Sequence, residues 1–142
     1  MKNKTLLVFL IFLINFFLIK LSYGQDQFNF NVSEIEILEN GNKIIGSNGG
    51  KVSTDDGIII EADNFIYRKN ENVLNANGKV IIRDTINNYI IYSENVEYEK
   101  SYEKIFSKGE TRGEINSRFI LNSFDIEYLR DKKILSSNKN TS

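Results

Sequence analysis

Apolar and polar positions alternate with a period of two through most of the chain after residue 24, which predicts extended strands with one apolar face. In the stretch 58–78, Ile58, Ile60 and Ala62 fall on one side, and a polar corner follows at Asp63-Asn64. Phe65 and Tyr67 then resume the pattern, a polar turn covers 68–72, and a return strand from Val73 ends at Asn77-Gly78. The same order recurs as Tyr89, Ile91 and Ser93, a corner at Glu94-Asn95, then Val96 and Tyr98. It recurs again as Phe119, Leu121 and Ser123, a corner at Phe124-Asp125, then Ile126 and Tyr128. Ile37, Tyr67, Tyr98 and Tyr128 share one slot of this pattern, each about 30 residues from the next, a period typical of stacked repeat architectures. The return strands keep step as well, with Leu74, Ala76 and Gly78 matching Ile105, Ser107 and Gly109.

Ahead of the repeat, Phe28 and Phe30 open a strand whose parity changes between Val32 and Ile35. A shift of one residue turns side chains to the other face, so a bulge or corner is expected at Ser33-Glu34. Asn40-Gly41 predicts a hairpin turn, because both residues tolerate positive φ. A short strand is expected over 43–47, a break at Asn48-Gly49-Gly50, another short strand over 51–54, and a turn at Asp55-Asp56-Gly57. Helix is disfavoured throughout by the period of two and the β-branched and aromatic content. Even the charged stretch 94–104 carries Val96, Tyr98 and Tyr102 at strand spacing and reads as two strands around a turn near Lys100-Ser101.

The chain of 142 residues divides into a leader, one domain and a tail. Residues 1–24 have the form of a secretory signal: Lys2 and Lys4, an apolar run over 6–19, and Ser22 and Gly24 at the −3 and −1 positions of a cleavage site. The apolar run is shorter than the roughly 20 residues of a membrane span, which favours cleavage, although extension through Lys20 to Tyr23 would make a marginal uncleaved anchor. A single β domain is expected over 25–135, and 136–142 is a polar tail or the start of a continuation. Loss of Lys2, Lys4 and Lys20 with the leader takes the net charge from −1 to about −4. An acidic surface of this kind argues against nucleic acid as a partner. The chain has no histidine, cysteine, tryptophan or proline. That removes most metal-binding and nucleophilic chemistry, and the missing proline suits long strand ladders. No metal, catalytic group or cofactor is predicted.

Asp55, Asp56, Glu61 and Asp63 form an acidic cluster that could bind calcium or serve glycoside hydrolysis. Turn chemistry and solvated strand faces account for it better, since Asp56-Gly57 is an ordinary turn pair and Asp63 recurs as Glu94. The recurring tyrosines could stack sugars or pack at a sheet end. The apolar stripe itself, including Ile105 and Ile126, means either a dry closed core or a cleft between curved sheets. A secreted structural or adhesive β-repeat protein with a closed core fits the first of these.

The string DGIIIEADNFIYRKNENVLNANGKVIIRD over 56–84 resembles the OstA-like periplasmic domain of the lipopolysaccharide-transport bridge. That family includes LptA, LptC and the N-terminal domain of the outer-membrane assembly protein LptD. The resemblance lies in I-x-I-x-A-D-x-F-x-Y, here Ile58 to Tyr67, and L-x-A-x-G-x-V, here Leu74 to Val80, and continues more weakly through 89–109 and 119–135. The beginning, FNFNVSEIEILENGNKIIG over 28–46, is most similar to the start of LptD. The resemblance implies an all-β fold, an open β-jellyroll of short antiparallel strands, and a non-enzymatic role in carrying lipid A acyl chains through the periplasm. If the chain is the front of LptD, it is also associated with the outer membrane. It further implies groove-lining contacts from Ile58, Ile60, Phe65, Tyr67, Leu74, Val80, Ile82, Ile91, Val96 and Leu121. Other bridge proteins are the implied partners, docked through edge strands near 28–32 and 128–135.

Overall fold

The alternation is realised in a computed structural model as eleven antiparallel strands, and the structure describes residues 28–137. The strands are β1 (Asn29–Leu38), β2 (Lys43–Ser53), β3 (Ile58–Ala62), β4 (Asn64–Arg68), β5 (Val73–Asp84), β6 (Tyr89–Glu99), β7 (Lys104–Lys108), β8 (Thr111–Ile115), β9 (Phe119–Ser123), β10 (Glu127–Leu129) and β11 (Ile134–Ser136). Two single 3-10 turns, Glu39–Gly41 and Lys100–Tyr102, are the helical elements among the described residues. The expected leader over 1–24 and the end of the tail, 138–142, lie outside the described residues.

One hydrogen-bonded sheet folds back on itself into two facing leaves. Each long strand changes partner halfway: β2 pairs with β4 through Lys43–Gly46 and with β3 through Gly50–Ser53. Likewise β5 pairs with β4 and then β3, and β6 pairs with β8 and then β7. The first leaf therefore holds β4, β7, β10 and β11 with the matching halves of β1, β2, β5 and β6. The second leaf holds β3, β8 and β9 with the other halves. The chain crosses between leaves along a common spine, where the corners predicted at Ser33-Glu34, Asp63-Asn64, Glu94-Asn95 and Phe124-Asp125 all fall. The expected break at Asn48-Gly49-Gly50 is a bend inside the single strand β2, because Gly50 still pairs with both Val32 and Ala62. Small residues line the spine: Gly46, Ala62, Ala76, Ser93 and Ser107 are all buried there. At Gly78 (φ +81) a Cβ would lie 2.6 Å from Asp63 Oδ2, and the Asp63 N–H donates to the Gly78 carbonyl at 2.9 Å.

The sequence repeat has a direct spatial form. Ile37, Ile44, Tyr67, Leu74, Tyr98, Ile105, Tyr128 and Leu135 make one unbroken row of cross-strand neighbours across the first leaf. Facing it, Phe30, Val52, Ile60, Ile82, Ile91, Gly113 and Leu121 make a row across the second. Successive turns are stacked in register, with backbone bonds from Lys69 to Asn42, Lys100 to Asn72 and Arg130 to Glu103 on one leaf. Thr85 to Gly57 and Asn116 to Asn88 do the same on the other. Asn72, Asn88 and Asn116 adopt positive φ at these turns, a conformation asparagine tolerates better than most residues.

Candidate functional site

The space between the leaves is the candidate site. Ile58, Ile60, Phe65, Tyr67, Leu74, Val80, Ile82, Ile91 and Val96 all point into it and are at most 4% exposed. Leu121 faces the same way but is half-buried, because β9 is the outermost strand of its leaf. All ten predicted residues therefore share one interior, and side chains fill its middle. Aromatic rings join the leaves: Phe30 meets Phe65 edge-on at 6.5 Å, and Tyr89 stacks on Tyr128 at 4.6 Å. Phe28 lies against both Tyr67 and Tyr98, at 4.8 and 5.7 Å between ring centroids. The repeated tyrosines Tyr67, Tyr98 and Tyr128 are accordingly interior packing residues and not exposed sugar platforms.

Both ends of the apolar interior reach solvent. On β1 the inward-facing Ile35 and Ile37 are 55% and 62% exposed, and on β9 Phe119 is 67% exposed. These lie on edge strands. The edge expected within 128–135 is β11 on the first leaf, because β10 is flanked on both sides by β7 and β11; on the second leaf the edge is β9.

Charged groups close the side opposite the spine. Arg130 donates from Nε to Asp84 Oδ2 at 3.0 Å, and from Nη1 to Asp56 Oδ2 at 2.7 Å and Glu103 Oε2 at 3.0 Å. Its Nη2 also bonds the Asp56 carbonyl. Lys100 Nζ reaches Asp56 Oδ2 at 2.5 Å and pairs with Glu103. The interior tyrosines add their hydroxyls, Tyr128 to Asp84 Oδ2 at 2.8 Å and Tyr98 to Glu103 Oε2 at 2.9 Å. Asp56 and Asp84 belong to the second leaf; Lys100, Glu103, Tyr128 and Arg130 belong to the first.

The protonation behaviour follows from this packing. Burial opposes the charge on Asp56, but hydrogen bonds from Lys100 and Thr54 and the nearby cations outweigh it and lower the carboxyl to about 2. Burial also opposes the Asp84 charge, yet bonds from Asn87, Tyr128 and Arg130 hold that carboxyl below its ordinary value. Burial would lower the Arg130 guanidinium, while its bonds to Glu103 and Asp84 raise it. Burial, followed by the neighbouring carboxylates, raises both Tyr98 and Tyr128.

The acidic cluster read from the sequence does not assemble as one group. Asp55 accepts from Asn29 at 2.9 Å, Asp56 belongs to the charged closure, and Glu61 pairs with Arg83 at 2.6 Å. Asp63 is the corner residue beside Gly78. Asp84 and Arg130 were not among the candidate site residues, although strand parity marks both. Val80, Ile82 and Asp84 alternate inward, as do Ile126, Tyr128 and Arg130.

No protein-family model and no curated protein sequence matches the chain. Among solved structures it is similar to the crystal structure of LptH, the LptA-homologous periplasmic component of the conserved lipopolysaccharide transport device from Pseudomonas aeruginosa. The TM-score is 0.71 at 10% identity, covering 80% of this chain and 82% of that one. At that identity the likeness is one of fold: the chain is an all-β jellyroll of the LptA-like kind.

Proposed function

We propose that this chain is a non-enzymatic periplasmic component of lipopolysaccharide transport, which holds lipid A acyl chains between its two leaves. The observation that carries the reading is the pair of facing apolar rows, from Ile37 to Leu135 and from Phe30 to Leu121, running the whole width of the sheet. The fold shared with a lipopolysaccharide-transport protein supports it. Each acyl methylene removed from water contributes about 0.8 kcal/mol. Such a ligand therefore needs a continuous apolar path, which separate small pockets would not supply.

The exposed ends support a second element of the reading. Ile35, Ile37 and Phe119 stand on edge strands, where unpaired backbone groups can add a strand from a neighbour. Docking there to other bridge components would extend the apolar rows from one protein to the next. An N-terminal export signal over 1–24 and a place at the front of LptD are compatible with this role and belong to the same proposal.

The near-complete burial of the interior favours a competing reading, a structural or adhesive β-repeat protein with a permanently closed core. Photocrosslinking separates them. A photoreactive residue at Phe65 or Ile91, in cells that make lipopolysaccharide, is expected to give a lipopolysaccharide adduct. Absence of adduct at both inward positions would overturn the transport reading in favour of the closed core.

A further inference from the structure

The two long sides of the interior are closed by different means. Along the spine the chain itself passes from leaf to leaf, through the bends of β2, β5 and β6 and the corner at Asp63, so the leaves cannot part there. On the opposite side each leaf ends in its own turns, and among the described residues non-covalent contacts alone join them, the ring of Phe28 against Tyr67 and Tyr98 included. Arg130 lies at the centre of that closure, bonded to Asp84 and Asp56 from the opposite leaf and to Glu103 from its own. Lys100 provides a second crossing, to Asp56 at 2.5 Å.

We infer that this cluster is a latch: a lipid enters sideways, by parting of the leaves about the spine as Arg130 and Lys100 leave Asp56 and Asp84. The inference rests on the transport reading given above and adds the route of entry. Three features support it. The interior residues are too completely enclosed to take a ligand unless the leaves separate. A book held along one edge opens furthest at the other, which is where the charged groups lie. Charged groups also suit a reversible closure. Water solvates them when they part, so the open state loses less than it would by exposing an equivalent apolar seam. Each parted group keeps a partner on its own leaf, Glu103 for Arg130 and Lys100, Thr54 for Asp56 and Asn87 for Asp84, while the Tyr128 hydroxyl, which bonds Asp84 across the leaves, departs with the cations.

The chain has no cysteine, so a pair can be introduced cleanly. The full chain carrying a photoreactive residue at Phe65 is mixed with purified lipopolysaccharide, and adduct yield is followed over time. Lys100→Gln, which removes one crossing while leaving Arg130 in place, is expected to speed adduct formation several-fold. Asp56→Cys with Lys100→Cys, joined by a short bismaleimide, is expected to slow it at least tenfold. The same double variant capped with a monofunctional maleimide is expected to be at least as fast as the parent. If the bridged protein forms adduct as fast as the capped one, lipid enters from the ends and the latch is overturned, while the transport reading stands. If parent, Lys100→Gln and capped forms all give no adduct, the transport reading falls and the latch falls with it.

Discussion

Arg130 and Asp84 lie 46 positions apart in the chain, yet the Arg130 Nε donates to Asp84 Oδ2 at 3.0 Å across the gap between the two leaves. The Asp84 side chain is only 1% exposed. It occupies an inward position of β5, directly after Val80 and Ile82, at a place where the rest of the row is apolar. A carboxylate taken that far out of water keeps its charge only because Arg130, Tyr128 and Asn87 all donate to it.

Arg130→Met should therefore destabilise the protein by about 3–5 kcal/mol, the usual cost of leaving a buried charge without its partner. Adding Asp84→Asn removes that charge and keeps an acceptor for Tyr128. The double variant should recover about 1 kcal/mol or more relative to Arg130→Met. Urea unfolding of the parent, the single variants and the double variant measures both quantities.

The same cluster sets the acid and alkaline limits of stability. Asp56 and Asp84 have folded-state values below the ordinary 3.8, so their contribution is present above that value and lost as pH falls, toward about 2 for Asp56. Tyr98 and Tyr128 are raised above 10.0, so their contribution is present below 10.0 and declines as pH rises past it. Arg130 is raised and stays charged across this range, and Lys100 and Glu103 complete the set of charges facing these groups. The thermal midpoint should be nearly level from about pH 5 to 9, fall below pH 4, and fall again above pH 10. Asp56→Asn should flatten the acid limb, as melting curves across this series will show.

Strand parity carried most of this architecture in the sequence. The slot shared by Ile37, Tyr67, Tyr98 and Tyr128 is a real row across one leaf, and the parity change at Ser33-Glu34 is a real register shift between Val32 and Glu34. What parity could not supply was the pairing of the leaves, which depends on contacts between distant parts of the chain. The charged closure was hidden for a related reason. Asp56, Asp84, Lys100 and Arg130 extend the inward parity of Ile58, Ile82, Tyr98 and Tyr128 by one more step. Read one at a time, each resembles an ordinary polar residue at a strand end. Their roles appear only when the two sets of turns are brought face to face. The break expected at Asn48-Gly49-Gly50 failed because glycine signals both a strand end and a sharp bend within a strand.

Gly50 shows which of these two roles applies. A Cβ at this position would sit 2.6 Å from both the Asn31 carbonyl oxygen and the Val32 Cα, which are backbone atoms with little room to move. Gly50→Ala should force β1 away from β2 at the bend and cost about 1–3 kcal/mol. Hydrogen exchange should show faster exchange through β1, with β5 and β6 remaining protected in the native state.

Burial separates the middle of the interior from its ends. Ile82, 1% exposed, faces the opposite leaf, and Ile82→Ala should cost about 2–4 kcal/mol through lost transfer energy and the cavity left behind. Phe119 faces the same way but stands largely in solvent on the edge strand β9, and Phe119→Ala should cost below about 0.5 kcal/mol. Chemical denaturation of both variants tests the contrast. A large loss from Phe119→Ala would mean that the end of the second leaf is covered in solution.

The edge strand β1 gives the most direct test of end-to-end docking. Ile35 and Ile37 are exposed on its inward face, and charged residues on an edge oppose pairing with another strand. Ile35→Glu with Ile37→Glu should leave the unfolding midpoint nearly unchanged, because neither side chain is buried within the single chain. Under the docking proposal the same change should abolish concentration-dependent assembly, since each new carboxylate would be buried unpaired in the joint. Sedimentation velocity over a range of concentrations reads the assembly directly. A double variant that assembles like the parent would place the joint elsewhere and leave β9 and β11 as the remaining edges. The matched unfolding curve ensures that any loss of assembly comes from the joint and not from a damaged fold.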